Sequence, residues 1–231
     1  MRAKARYLLQ PYVLAARRLR RDLPSVIDLA WGLPRSFSQF GEDQFLLRYF
    51  EGQSAGFYVD VGAFHPFHLS NTYLLYKRGW HGINLEPSPN GLAALQRHRP
   101  RDLNLATAVG SVEEEVTFSL AGSFAGIDDD QHLWSGVPAE RMMVTTRTLA
   151  HILAEHLPAS QTIDLLDVDC EGHDLDVLRS NDWARYRPRL ILAEAHSEDA
   201  GNEIAQFLES TDYLPRTRLD LTLIFEDRAH S

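Results

Sequence analysis

Short apolar runs alternate with amphipathic stretches along most of this sequence, and each pattern predicts its own kind of secondary structure. The apolar runs predict strands at residues 56–61, 82–86, 103–109, 116–120, 142–146, 163–168 and 189–194. Apolar positions at helical spacing predict helices at residues 70–78, 89–98, 148–156, 173–180 and 198–210. Strands that alternate with helices are typical of an α/β fold whose sheet is mostly parallel and binds ligands at its carboxyl edge.

Two further elements flank this alternating region. The segment 38–43 opens an amphipathic helix that runs through Phe50, and we expect this helix to cover a face of the sheet. After the last helix, strand patterns at 213–218 and 221–226 predict an antiparallel hairpin at the end of the sheet.

The pattern fails between Ala121 and Arg141, where no strand or helix period is visible. A long loop in a compact domain is usually functional or disordered, and we expect this one to act as a lid over a substrate. It contains three consecutive aspartates, 128–130, which could chelate a hard cation but which in a flexible loop are more often only solvated.

The composition fits one domain of ordinary size and a reducing compartment. The chain has 231 residues, of which 44% are apolar, so it can bury a full core. A single cysteine, Cys170, excludes an intramolecular disulfide, and the ten histidines occur without a C-x-x-C zinc motif. These features favour a cytoplasmic protein with one domain at 36–231 and a separate arm at 1–35.

The charge is distributed unevenly between that arm and the domain. Residues 1–35 hold eight Lys/Arg and two Asp, a net charge of +6, which leaves −15 for the remainder of a chain with net charge −9. An acidic body argues against nucleic acid as a partner. Apolar residues lie between the arginines, so the arm could contact anionic lipid on the inner face of a membrane. A plain helix or a disordered arm are the alternatives, and no apolar run reaches the ~18 residues of a membrane span.

The segments 56–64 and 82–87 resemble a nucleotide-binding strand, turn and second strand. The first contains Gly62, which lets the backbone approach a ligand, and the second ends in Glu86, whose carboxylate can accept both ribose hydroxyls. A dinucleotide fingerprint has three glycines where this turn has one, so the pattern favours S-adenosylmethionine over NAD. An NAD-dependent sugar-modifying enzyme is the disfavoured enzymatic alternative.

A second polar cluster follows the predicted strand at 163–168. It places Asp169, Glu171 and His173 at the carboxyl end of a buried strand, where Gly172 permits a sharp turn into a helix. Packing alone does not require three titratable groups in five positions. The structural alternative is an acidic helix N-terminus, in which Glu171 and Asp174 only complement the helix dipole.

Together these segments resemble the FkbM family of S-adenosylmethionine-dependent O-methyltransferases over most of residues 36–226. The matching pieces are 38–43, 58–63, 70–72, 75–76, 79–80, 82–83, 86–87, 108–110, 164–166, Asp169, 171–173 and Glu194. The resemblance implies a Rossmann-like class I methyltransferase with a mostly parallel seven-stranded sheet, helices on both faces and a C-terminal antiparallel hairpin.

The resemblance also implies roles for individual residues. It places Asp60, Gly62 and Ala63 at the methionine side of the cofactor and Glu86 at its ribose. The backbone of Ala108 and Val109 would border the adenine. Ser70 and Asn71 could each cap the following helix or touch the cofactor carboxylate, and for Ser70 we favour the cap.

The chain departs from the family pattern at one position. Asp167 stands where the family commonly has Lys, and strand alternation puts it on the same face as Asp169. We therefore expect the pKa of at least one of these two carboxyls to be raised if both point into the site.

The activity implied is methyl transfer to a hydroxyl of a sugar in a glycan, glycolipid or polysaccharide, or of a secondary metabolite. The hydroxyl proton could be taken directly by Asp169 or His173. Alternatively, Asp169, Glu171 and Glu194, with His196 nearby, could bind Mg²⁺ or Ca²⁺ and so acidify the hydroxyl, or the site could act by positioning alone. The non-catalytic alternative is a protein of the same fold that binds the cofactor and serves as a scaffold in a glycan-assembly complex.

Overall fold

A computed structural model describes residues 36–120, 125–127 and 140–230 of the chain. The predicted basic arm at 1–35 lies outside the described residues, as do the three aspartates 128–130 and most of the expected lid. The described part begins with α1 and contains two sheets and six α-helices.

The elements follow the alternation that the apolar pattern predicts. The helices are α1 (Glu42–Tyr49), α2 (Tyr73–Arg78), α3 (Pro89–His98), α4 (Leu149–His156), α5 (Asp174–Arg179) and α6 (Glu198–Ser210), and a 3₁₀ turn spans Arg228–His230. The strands are β1 (Phe57–Val61), β2 (His81–Leu85), β3 (Leu103–Leu105), β4 (Ala108–Val109), β5 (Glu115–Leu120), β6 (Gly126–Ile127), β7 (Glu140–Arg147), β8 (Leu165–Val168), β9 (Leu190–Glu194), β10 (Tyr213–Leu219) and β11 (Thr222–Asp227).

The main sheet has seven strands in the order β10-β11-β9-β8-β1-β2-β3. Strands β3, β2, β1, β8 and β9 pair in parallel, whereas β11 pairs antiparallel with both β9 and β10. The strand order reverses between β1 and β8, so the carboxyl ends of these two strands open a crevice where open α/β sheets bind ligands. The predicted mostly parallel seven-stranded sheet with its C-terminal hairpin is confirmed.

The central strands of this sheet have helices and apolar side chains on both faces, as is typical of parallel sheets. On one face, Val59 and Leu166 pack with residues of α4, α5 and α6, including Ile152, Val177 and Ile204. On the other face, the predicted α1 places Leu46 and Phe50 against Tyr58, Trp80, Leu165, Leu192 and Ile224.

A second, smaller sheet has the order β4-β7-β5-β6 and corrects one prediction. The single strand expected at 103–109 is two strands, since Leu103–Leu105 pairs with β2 while Ala108–Val109 pairs in parallel with β7. Thr107 marks the break, where its N–H bonds back to the carbonyl of Leu105 at 3.1 Å. The apolar run continues through this break, so periodicity alone could not reveal it.

The helix predicted at 70–78 begins only at Tyr73. Thr72 occupies the N-cap position, and the predicted Ser70 cap is wrong because the Ser70 hydroxyl accepts a hydrogen bond from Arg99 instead. Among the described helices, none combines the length and the apolar character needed to cross a membrane.

Candidate active site

A cleft of about 790 Å³, open to solvent, lies at the carboxyl edge of the main sheet. It brings together seven of the residues that the sequence marks as candidates: Gly62, Glu86, Ala108, Val109, Asp169, Glu171 and His173. Most of its remaining lining is apolar: Val61, Phe64 and Leu69 at and after the end of β1, Leu85 and Pro87 at and after the end of β2, Phe118 from β5, and Ala125, Gly126 and Ile127 around β6. Gln39, Thr107 and Cys170 complete the lining. The two polar clusters of the sequence therefore face one cavity.

Gly62 is the turn residue that joins the two clusters. Its φ is +83°, in the left-handed region that glycine adopts without strain. A Cβ at this position would lie 2.0 Å from the carbonyl oxygen of Asp169, closer than any real contact. Only glycine lets the loop after β1 pass the end of β8 at this distance.

Glu86 lies at the end of β2 and is held rigidly in the cleft. Its two carboxylate oxygens accept hydrogen bonds from the backbone N–H groups of Phe64, at 2.8 Å, and Ser88, at 2.6 Å. Burial raises the pKa of Glu86, while the hydrogen bonds from Ser88 and Phe64 act in the opposite direction. Each oxygen retains acceptor capacity, so the carboxylate can still accept from a ligand hydroxyl.

The other three predicted cofactor residues, Asp60, Ala63 and Asn71, do not belong to the cleft lining. Asp60 accepts a 2.6 Å hydrogen bond from the Thr72 hydroxyl, and Asn71 donates to Asp167 at 3.1 Å. These residues support the loop that follows β1, and their direct contact with cofactor stays a prediction.

Asp167, the departure from the family pattern, is buried in register with Asp60 on the neighbouring strand. Its pKa is raised well above the ordinary range, first by burial, then by the Asp60 carboxylate and also by Asp169. Burial likewise raises the pKa of Asp60, to about 6. The pKa of Asp169 is raised as well, by burial and then by the charge of Glu194, but Asp167 does not line the cleft, so the expected effect of Asp167 within the site stays a prediction.

The turn after β8 forms an acidic cluster with the end of β9. The carboxyls of Asp169 and Glu194 share a hydrogen bond, and burial followed by the Glu194 charge raises the pKa of Asp169 well above its usual range. Nε2 of His196 lies 3.5 Å from Oε2 of Glu171 and 3.3 Å from Oε2 of Glu194. Burial also raises the pKa of Glu194, to about 7.

Asp174 fastens this turn to β9 and does more than complement a helix dipole. One carboxylate oxygen accepts the N–H of Glu194 at 2.9 Å, and the other accepts the N–H groups of Cys170 and Gly172 at 3.4 Å. Asp174 is 1% exposed, and burial raises its pKa to about 7. The acidic helix N-terminus is therefore part of the scaffold of the cleft.

Backbone strain is concentrated along this cleft. Phe64, Leu69 and Glu171 line it with φ angles of +48°, +54° and +52°, although none is glycine. Such conformations cost on the order of 1–3 kcal/mol each and persist where surrounding structure holds them, often at functional sites.

A buried Arg99 organises the loop after β1, and sequence patterns alone did not single it out. Its guanidinium donates to the carbonyl of Pro66 at 2.8 Å and to the hydroxyl of Ser70 at 2.9 Å, and lies 3.6 Å from Asp102. An arginine that is 1% exposed requires such partners. Its burial could not be predicted from the sequence, because Arg99 follows a helix whose other basic residues, Arg97 and His98, face solvent.

Gln39, Phe118 and Ile127 are other parts of the cleft that sequence reasoning missed. Gln39 precedes α1, in a segment that was interpreted as a helix start and as part of the family resemblance but was given no role in the site. Phe118 and Ile127 reach the cleft through the pairing of β5 with β6, which no local pattern reveals.

The comparison with known protein families identifies the class. The methyltransferase FkbM domain family matches residues 60–215, so the chain belongs to this family of S-adenosylmethionine-dependent methyltransferases. No curated protein matches the chain significantly.

Three solved structures are similar to this chain at low identity. A TehB-like SAM-dependent methyltransferase from Corynebacterium glutamicum is 12% identical with a TM-score of 0.41, covering 92% of this chain and 96% of that one. A proposed O-methyltransferase from Klebsiella pneumoniae is 14% identical with a TM-score of 0.44, covering 95% and 99%. A proposed RNA methyltransferase from Pyrococcus horikoshii is 11% identical with a TM-score of 0.43, covering 86% and 96%.

The residues of the cleft fit the cofactor of this family. Glu86 offers a carboxylate to a ribose, and Leu85, Val109 and Ile127 offer apolar surface to an adenine. When bound, S-adenosylmethionine supplies an electrophilic methyl group on a positively charged sulfur, and a carboxyl-rich wall suits that charge.

Proposed function

We propose that this methyltransferase acts on oxygen, and that its acceptor is a sugar hydroxyl of a glycan, glycolipid or polysaccharide. The observation that carries the proposal is the position of the turn from Asp169 to His173. It places titratable side chains in the same cleft as Glu86, where a general base can reach an acceptor hydroxyl.

A second cavity supports a hydroxyl-rich acceptor. It contains about 800 Å³ of space, open to solvent, and shares Val109, Ile127 and His173 with the cofactor cleft. Its further lining is rich in polar side chains that can hydrogen-bond sugar hydroxyls: Ser111, Glu114, Thr117, Thr146 and Asp176. An acceptor seated there would lie next to His173.

We assign the role of general base to His173 and a positioning role to Asp169. Methyl transfer is an in-line displacement, so the enzyme must align the acceptor oxygen and remove its proton. His173 is accessible from both cavities, and its Nδ1 lies 3.9 Å from the Asp176 carboxylate, which can orient the ring. Asp169 is less available to an acceptor hydroxyl because its carboxyl shares a hydrogen bond with Glu194.

The test uses the full chain, S-adenosylmethionine with a labelled methyl group, and panels of polysaccharide, glycolipid and small hydroxylated acceptors. We expect label in a product that survives mild base, as a methyl ether does and a methyl ester does not. His173→Ala should lower turnover by about 10²–10⁴ with little change in S-adenosylhomocysteine affinity. His151→Ala, which alters a half-exposed histidine on α4, is the matched control. A base-labile product would refute oxygen transfer to an alcohol, and near-normal turnover of His173→Ala would refute the assigned base.

The charge of the N-terminal arm supports an acceptor that is linked to lipid. Each Lys or Arg near an anionic surface contributes roughly 1 kcal/mol, so the +6 arm should hold the protein on anionic vesicles at low salt. Deletion of residues 1–22 should release it, as measured by co-sedimentation. Equal sedimentation of both proteins would remove this argument for a lipid-linked substrate.

A further inference from the structure

The side chains of Glu171, Glu194 and His196 form a compact group between the turn after β8 and the end of β9. One ligand atom from each residue lies within 4.8 Å of the other two. Glu194 and His196 are buried, and Glu171 lines the cofactor cleft. The group therefore lies at the edge of the cofactor cleft, with Glu171 as the member that lines it.

The spacing of these atoms matches a coordination sphere. Ligands about 2.1 Å from a cation are separated by about 3.0 Å at an octahedral right angle and by about 3.4 Å in a tetrahedron. Nε2 of His196 lies 3.3 Å from Glu194 and 3.5 Å from Glu171. These two separations are long for hydrogen bonds but suitable for ligands of one ion, and the oxygens of Glu171 and Glu194 lie within 4.8 Å of each other.

His196 provides independent support for a ligand. It is only 8% exposed, and neither ring nitrogen has a hydrogen-bond partner among the described residues. A buried imidazole without partners is costly, and its Nε2 faces two carboxylates without the alignment of a hydrogen bond to either. A cation between the three groups would satisfy the nitrogen and both oxygens at once.

We propose that Glu171, Glu194 and His196 bind one divalent cation of the kind that accepts both carboxylate and imidazole ligands, with Mn²⁺ as the representative ion. The sequence predicted Asp169, Glu171 and Glu194 as ligands, with His196 nearby; this group keeps Glu171 and Glu194 and has the imidazole of His196 in place of Asp169. Imidazole favours transition metals, whereas Mg²⁺ and Ca²⁺ prefer oxygen ligands.

The cation would have a direct use in the proposed reaction. Glu171 reaches the cleft, so an ion on its carboxylate can contact an acceptor hydroxyl, orient it and lower the pKa of that hydroxyl before His173 removes the proton. This catalytic use rests on the proposed function, whereas binding of the cation does not.

The experiment measures Mn²⁺ binding to the full chain by electron paramagnetic resonance and calorimetry, without cofactor or acceptor. We expect one bound ion per chain, and competition by Zn²⁺ stronger than by Mg²⁺. His196→Leu and Glu171→Gln should each weaken Mn²⁺ binding by about 10–100-fold or more. Loss of a residue that only supports a metal ligand already has an effect of this size. The matched control is His151→Ala, since His151 pairs with Glu113 on the surface in a similar histidine–carboxylate arrangement.

Circular dichroism shows whether each variant is folded, and Glu171→Gln changes a partly exposed side chain, so it tests the site even if His196→Leu does not fold. No bound ion in the wild type at millimolar Mn²⁺ and Zn²⁺, or equal binding by wild type, Glu171→Gln and His151→Ala, would overturn the proposal. Methyl transfer measured with and without chelator tests the proposed function separately. Loss of the ion without loss of activity would leave the site in place and remove its catalytic use.

Discussion

The backbone carbonyl of Asp169 lies against Gly62, so close that a Cβ on residue 62 would be 2.0 Å from it. This contact fixes the turn that approaches the cofactor to the turn that carries the candidate base. The two turns are more than a hundred residues apart in the chain, yet both depend on this close contact between Gly62 and Asp169.

Gly62→Ala should therefore destabilise the protein more than Gly172→Ala, although both glycines have positive φ. At Gly172, with φ +106°, nothing lies within 4 Å of an added Cβ, so the cost is backbone strain alone, about 1–2 kcal/mol. At Gly62 the end of β8 must also move. Urea unfolding measures the difference, and calorimetry should show weaker S-adenosylhomocysteine binding only for the first variant. Equal stabilities of the two variants would mean that the end of β8 can move away from residue 62 without cost.

Removal of the Glu86 carboxylate should weaken cofactor binding. Glu86→Ala is expected to cost about 1.5–3 kcal/mol in S-adenosylhomocysteine affinity, the range for hydrogen bonds to a charged group. Calorimetry provides the measurement, and Glu203→Ala, an exposed change on α6, provides the control. If a folded Glu86→Ala protein bound with unchanged affinity, Glu86 would have to be removed from the ribose site.

Arg99→Met should be strongly destabilising because it leaves Asp102 and the hydroxyl of Ser70 buried without their cation. Breaking a buried ion pair by removing one partner costs about 3–5 kcal/mol. Arg97→Met, an exposed change on the same helix, should alter the free energy of unfolding by less than about 0.5 kcal/mol. Similar effects for the two arginines would show that the loop after β1 does not depend on this network.

Asp60 should make the protein less stable as the pH rises through the acid range. Its folded pKa of about 6 is above the ordinary 3.8, so the folded state holds the proton more tightly than the unfolded state. The contribution of Asp60 to the free energy of unfolding is complete below about pH 4 and is lost as the pH rises through about 6. The loss amounts to up to about 3 kcal/mol. Burial is the largest cause of this raised pKa, which Thr72 and Arg99 oppose and Asp102 and Glu86 increase; Asp167 and Asp169 also face Asp60.

Asp60→Asn removes that titration while leaving an oxygen for the Thr72 hydroxyl. The stability of the variant relative to wild type should therefore increase between pH 4 and pH 7, as measured by urea unfolding at several pH values. Glu51→Gln, at an exposed carboxyl, should show no such trend. A constant difference across this range would contradict the raised pKa.

The sequence was sufficient for features that depend on a few consecutive residues. The strand, glycine turn and terminal acid of β1 and β2 predicted Gly62 and Glu86, and the dense run of acids after β8 predicted Asp169 and Glu171 at the same edge. It could not reveal features that depend on distant residues. Arg99 meets Pro66 and Ser70 only in the folded chain. His196 was expected near the acids, but its position against both Glu171 and Glu194 depends on the pairing of β9 with β8.

The two sheets that line the cleft differ in how deeply their strands are buried. Strands β1, β8 and β9 are buried throughout, whereas β5 and β7 each bury only one residue fully, Phe118 and Thr146. Segments with few buried apolar contacts open at lower free energy than the core. Amide hydrogens of β5 and β7 should therefore exchange with solvent while those of β1 remain protected, and a cofactor that touches Phe118 should slow that exchange. The cleft would then admit and release its ligands by local unfolding of one wall while the main sheet stays intact.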